Sequence, residues 1–306
     1  MKQKLRRGVM LVLALVFVGS TVMLIRQNIQ YREGEEIYAE AEALVDLPDL
    51  TQLPPVVETL EEAPAQQPAE ETPAEAEKPV YVDPYADALR NMDFTALREV
   101  NSDVVGWIVI PGTRVSYPLV QGEDNNYYLN RTWKKWSSVV GSIFMECRSS
   151  RDLSDFNTII YGHRMNNGSM FASLKYYKKQ SYWQEHPCVY ITDDNGSHKY
   201  EIFAAYEVST EGDTYRLSFS DEADKQSFID YCLAPSVIET GVTPQTYDQI
   251  LTLSTCTGNG HATRWVVQAV LRGEPPADPA PEEMADSVPA IEEEVLDEAA
   301  EEGELA

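Results

Sequence analysis

Cysteine and histidine are scarce in this 306-residue chain, four of each, and the cysteines at 147, 188, 232 and 256 form no CxxC pair. Such spacing excludes a disulfide-built scaffold and leaves room only for a lone bridge. Basic residues are also few, 24 Lys and Arg against 50 Asp and Glu, for a net charge of -26. No basic stripe exists to displace counterions from phosphates, so nucleic acid is excluded as a partner. No internal repeat is present.

The acidity is unevenly placed. Residues 33–80 carry fourteen acids and one lysine, and residues 274–306 carry thirteen acids and no base. Residues 81–273 hold twenty-three acids against seventeen bases. The charge therefore belongs to flanking arms, and the middle segment is long enough to bury a core of its own.

At the start, Lys2, Lys4, Arg6 and Arg7 precede an apolar run from Gly8 to Ile25, closed by Arg26. Eighteen helical residues at about 1.5 Å each extend roughly 27 Å, close to the hydrocarbon thickness of a bilayer. The basic cluster predicts a cytoplasmic N-terminus, with the remainder outside the cell. A cleaved signal peptide is the rival reading, but apolar residues resume after Gly19-Ser20-Thr21 and no A-x-A site follows. Residues 1–32 are thus expected to form a basic tip and an uncleaved transmembrane signal-anchor. Residues 33–80, rich in Pro, Glu and Ala, read as a disordered acidic stalk, with some helix near Ile37 to Leu44 continuing from the membrane. As flexible coil that stalk would span roughly 35–40 Å. Residues 274–306 read as a disordered acidic tail.

Residues 81–273 change character. Apolar positions Leu89, Met92, Leu97 and Val100 predict short helical turns over residues 85–100. "VVGWIVIPGTRVSYPLVQG" alternates in strand fashion around Pro111-Gly112. "GSIFMEC" and "NTIIYGH" read as strands, and residues 188–209 as two strands joined at Asn195-Gly196. A helix is expected from Asp221 to Leu233, capped by Ser220. "QILTLSTC" and "RWVVQAVL" complete a mainly β pattern of many short strands, which favours a closed or nearly closed barrel.

Three residues at strand ends carry chemistry. Cys256 ends a strand and precedes Thr257-Gly258-Asn259-Gly260, an accessible place for a thiol, although most free cysteines only fill space. His163 stands where "TIIYG" runs into a loop, a suitable position for proton transfer near neutral pH. Arg264 opens the last strand, seven residues beyond Cys256, so the two strands can pair and bring a guanidinium beside the thiol to stabilise an oxyanion. A Cys/His site for zinc from Cys256, His261 and His163 lacks a second close ligand pair. No metal or cofactor is expected.

Taken together, "VVGWIVIPGTRVSYPLVQG", "DNNYYLN", "GSIFMECR", "NTIIYGHRM", "GSMFASLKYY", "TLSTC" and "RWVVQAVL" resemble the sortase family, in its class B branch, over residues 101–273. The resemblance implies an eight-stranded β-barrel with an N-terminal helical portion and a helix between the sixth and seventh strands. It implies a membrane-anchored cysteine transpeptidase: Cys256 as nucleophile, His163 as general acid/base, Arg264 as oxyanion or substrate-positioning residue. It also places Asn125, Leu129, Tyr161 and Ser254 along the peptide groove. The substrates implied are secreted proteins with a sorting motif, of the NPxTN kind elsewhere in the branch. The acceptor implied is an amine of a peptidoglycan precursor or a pilin lysine. The residue after the catalytic cysteine is often acidic in this branch and here is Thr257. The chain itself is not expected to be a substrate, because "LPDLT" lies in the stalk and no apolar stretch with a basic end follows a C-terminal motif. A cysteine protease using water as acceptor, and a non-catalytic surface adhesion module, remain the alternative readings.

Overall fold

The structure, a computed structural model, describes residues 2–50, 53, 83–258, 260 and 262–273. Its centre is a closed barrel of eight strands in the order β1-β2-β3-β4-β7-β8-β6-β5. In chain order these are β1 (Val104–Val109), β2 (Ser116–Val120), β3 (Ile143–Met145), β4 (Asn157–Tyr161), β5 (Cys188–Asp193), β6 (Gly196–Ser209), β7 (Gln249–Cys256) and β8 (Thr263–Leu271). The β2/β3 and β4/β7 pairs are parallel. Neighbours elsewhere run antiparallel, including β1 with β5, which closes the ring. Closure leaves no sheet edge open to pair with another chain.

Side-chain alternation sorts β7 and β8 into two faces. Leu251, Leu253, Val267 and Ala269 join the main core. Ile250, Val266 and Val270 face a second core, shared with Phe228, Ile229 and Cys232 of α5 (Glu222–Leu233). This helix lies between the sixth and seventh strands, as expected. Its cap differs from the expectation: the Asp221 carboxylate, not Ser220, accepts from the Asp224 N–H at 2.8 Å. The Asp224 carboxylate reaches back to the Ser220 N–H, so Ser220 stands one place outside the helix. A carboxylate at the cap also suits the positive end of the helix dipole.

Two short helices precede the barrel, α2 (Pro84–Leu89) and α3 (Thr95–Val100). Asp83 caps α2 by accepting from the N–H groups of Tyr85 and Ala86, and Pro84 occupies the first turn, where its missing donor costs nothing. Between β4 and β5 the chain adds a 3-10 helix (Phe171–Lys178) and α4 (Gln180–Glu185).

The helix α1 (Lys2–Leu44) runs without a break through the helix expected near Ile37 to Leu44, so the first twelve residues of the segment read as a stalk, 33–44, are helical. An 18-residue window of α1 has a mean hydropathy of 2.6 and is uncovered by the rest of the protein, long and apolar enough to cross a membrane. Beyond it, α1 continues into the stalk and docks on the barrel, burying Tyr38 and Ala41, with Val45 buried just past its end. Tyr38 donates to the Gly141 carbonyl at 2.6 Å, and Trp133 Nε1 donates to the Ile37 carbonyl at 3.0 Å. Residues 34, 38 and 41 are buried along one helical face, a periodicity that the average Glu/Ala/Pro composition conceals. Residues 54–80 of the stalk and the tail at 274–306 lie outside the described residues.

Candidate active site

Strand register assembles the three chemistry-bearing residues. Cys256 and Arg264 are direct cross-strand partners at the end of the antiparallel β7/β8 ladder. Opposed residues of an antiparallel pair project from the same face, so thiol and guanidinium share a rim. On the other side of β7, the parallel pairing with β4 matches Tyr161 to Ser254. The ladder continues past β4, with Gly162 N–H donating to the Ser254 carbonyl at 3.1 Å and Thr255 Oγ donating to the Gly162 carbonyl at 2.7 Å. His163 is thereby delivered beside Cys256.

Two glycines beside His163 have no room for a side chain. A Cβ on Gly162 would lie 2.4 Å from Ile143 Cδ1 and 2.7 Å from Phe171. Gly141, at φ +64°, would meet the Leu129 carbonyl at 2.6 Å and His163 Cδ2 at 2.9 Å. A side chain at Gly141 would displace the imidazole, and one at Gly162 would displace Ile143 or Phe171.

His163 Nε2 lies 2.7 Å from the Leu129 carbonyl. A carbonyl only accepts, so Nε2 carries a hydrogen, and Nδ1 is the ring nitrogen left for Cys256. The side-chain hydrogen bond to Cys256 raises the imidazole pKa above its ordinary value against the opposing effect of burial, and the Leu129 carbonyl adds to the rise. The same hydrogen bond lowers the Cys256 pKa against desolvation, with further help from the charges of Arg264, His163 and Arg164. The two shifts converge, which favours a thiolate–imidazolium pair.

Arg164 was not singled out in the sequence. It donates to the Thr257 carbonyl and packs under Gly258, tying the His163 loop to the segment after Cys256. Thr257, where an acid is common in the branch, is buried and its hydroxyl lies 3.2 Å from that of Thr263.

The four residues assigned to a groove separate into different roles. Leu129 reaches the site through its backbone carbonyl. Ser254 is buried with its hydroxyl 3.0 Å from the Tyr215 hydroxyl. Asn125 and Tyr161 both donate to one carboxylate, Glu146, at 2.6 and 2.9 Å. Glu146 was also missed, although a glutamate closing the apolar strand "SIFM" is a legible signal: at a barrel strand end it requires partners. Of the zinc ligands considered, His261 lies outside the described residues, and among the described residues no group of three His, Cys, Asp or Glu could hold a metal.

The chain resembles known proteins over nearly the whole barrel. A sortase-domain family model matches residues 108–272. Sortase B of Staphylococcus aureus is 37% identical over 163 residues, covering 53% of this chain and 67% of the relative. A solved Staphylococcus aureus sortase B–substrate complex superposes with a TM-score of 0.56 at 35% identity, covering 60% of this chain and 85% of that one. Sortase B of B. anthracis superposes with a TM-score of 0.61 at 30% identity, covering 80% and 99%. By family match, sequence identity and a shared eight-stranded barrel, the chain belongs to the sortase family, in its class B branch of cysteine transpeptidases.

Proposed function

We propose that this transpeptidase works through a thioester on Cys256, with His163 as proton carrier and Arg264 as anion stabiliser. The observation that carries the reading is the convergence of the three residues: Cys256 and Arg264 are opposed across β7 and β8, and Cys256 and His163 shift each other's pKa in opposite directions. The Cys256 thiolate attacks the carbonyl carbon of a threonine in a sorting motif, forming a C–S bond. Arg264 donors hold the resulting oxyanion. As the C–N bond breaks, the His163 imidazolium gives its proton to the departing amine, leaving a thioester and a neutral imidazole. An incoming amine attacks the thioester carbonyl, His163 takes the proton from that nitrogen, and the thiolate leaves. One amide replaces another, so no nucleotide is consumed.

The acceptor fits an amine of a peptidoglycan precursor or a pilin lysine, and the donor fits a secreted protein bearing an NPxTN-like motif. The apolar part of α1 anchors the chain with its basic tip inside and the barrel outside the cell. Asn125, Leu129, Tyr161 and Ser254 shape the peptide groove. Incubation with a sorting peptide should yield a covalent adduct on Cys256 by mass spectrometry, absent in Cys256→Ala. Retained transfer in that variant would refute the assignment, and hydrolysis alone, whatever amine is offered, would favour a protease.

A further inference from the structure

Glu146 directly follows β3, and its side chain is 1% exposed. A buried carboxylate is costly unless donors saturate it, and here they do. Arg148 Nε donates to Oε1 at 2.7 Å, while Asn125 Nδ2 and the Tyr161 hydroxyl share Oε2 at 2.6 and 2.9 Å. Cys147 Sγ lies 3.7 Å from Oε1. Desolvation pushes the carboxyl pKa up, but Arg148, Tyr161 and Asn125 together more than reverse it, so Glu146 is ionised at neutral pH.

The consequence lies in the orientation of its partners. Asn125 Oδ1 accepts the Cys147 N–H at 2.9 Å, and Nδ2 donates to Glu146. Both ends of the amide are therefore assigned, and one N–H of Nδ2 is left over. The Tyr161 proton is likewise committed to Glu146, which leaves its oxygen as an acceptor. Tyr161 stands opposite Ser254, two residues before the thiol. With its lone pairs occupied, Glu146 has little capacity to take an acceptor amine itself.

We propose that Glu146 is a substrate-positioning residue: it locks the Asn125 amide and the Tyr161 hydroxyl so that the groove presents one fixed N–H donor and one fixed hydroxyl acceptor, a pair complementary to an amide group of the bound peptide. This deepens the transpeptidase reading and rests on it for the peptide's presence in the groove. In Glu146→Gln a single carbonyl oxygen replaces two acceptors, and the new NH₂ must confront either Arg148 or Asn125.

Binding is measured by fluorescence anisotropy on the full chain in detergent, in the Cys256→Ala background, with a labelled NPxTN peptide, so the readout does not depend on transfer. Glu146→Gln is expected to weaken binding about tenfold, in line with losing one charge-assisted hydrogen bond. Asn125→Ala and Tyr161→Phe should each weaken it, and in a chain that carries both changes Glu146→Gln should cause no further loss, because both groups it holds are then gone. With Cys256 present, the rate of its alkylation by iodoacetamide should be the same in Glu146→Gln as in the wild type. An unchanged Kd, additive losses, a slowed alkylation, or failure of the Cys256→Ala chain to bind the peptide would each overturn the proposal. If the Gln variant does not fold, Glu146→Asp replaces it. That variant keeps the buried charge on a shorter arm unable to reach both partners, and a smaller loss of affinity is expected; an unchanged Kd there overturns the proposal equally.

Discussion

Cys256 and Arg264 face each other directly across the last rung of the β7/β8 ladder, so their proximity is set by backbone register rather than by a flexible loop. The guanidinium acts on both partners of the Cys256–His163 pair, lowering the pKa of the thiol and of the imidazole alike.

Removing that charge has a signed outcome. In Arg264→Ala the thiol pKa rises, and the imidazole pKa rises with it. The pH profile of Cys256 alkylation should shift toward alkaline pH along its thiolate-forming limb. Transfer should fall by about 10²–10³, the usual cost of losing one oxyanion donor. Stopped-flow alkylation from pH 5 to 10 checks the first point and peptide turnover the second; an unmoved profile would dismiss an electrostatic role for Arg264.

His163→Ala should lose about 10²–10⁴ in transfer. It should also raise the Cys256 pKa, since the hydrogen bond to His163 is the leading cause of its depression. The thiolate absorbance near 240 nm, titrated against a Cys256→Ala blank, follows this directly.

Selective labelling should single out Cys256. Cys188 and Cys232 are buried, and desolvation pushes the Cys232 pKa up to about 11. Cys147 is raised first by desolvation and then by the neighbouring Glu146 charge. Limiting iodoacetamide at pH 7 should therefore modify Cys256 before the other three, as read by peptide mapping. Equal labelling of Cys147 would contradict this ordering.

Gly162→Ala tests the packing of the residue that precedes His163 in the chain. The added methyl meets Ile143 and Phe171 inside contact distance, and overpacking of this kind costs about 1–3 kcal/mol. Displacing His163 by even about 1 Å should cost roughly 10² in rate. Urea denaturation and peptide turnover measure the two effects separately.

Tyr38→Phe tests the docking of α1. It leaves the Gly141 carbonyl without its 2.6 Å donor, which costs about 1–3 kcal/mol for a buried acceptor. Trypsin should cut sooner after Arg32 in the variant, and an unchanged midpoint and cleavage pattern would show the contact to be dispensable.

Much of this protein was legible one residue at a time. Alternating apolar residues marked the strands, because a half-buried strand has period two. The run from Gly8 to Ile25 marked a helix long and apolar enough to cross a membrane, because bilayer thickness sets that length. The motifs around His163, Cys256 and Arg264 marked the candidate site. What the linear order does not hold is the pairing. The contacts of Tyr161 and Asn125 with Glu146, of Arg164 with Thr257, and of Tyr38 with Gly141 join residues 15 to 103 positions apart. Local propensity is blind to such separations. Average composition also hid the docking face of α1, since two buried side chains on the helix and a third just past its end weigh little against the acids around them. The sequence by itself determined where most strands and the long N-terminal helix form and which side chains could carry chemistry. The tertiary structure alone decided which of those side chains meet, because barrel register and the packing around Gly141 and Gly162 set the contacts that move their pKa values and fix their orientation.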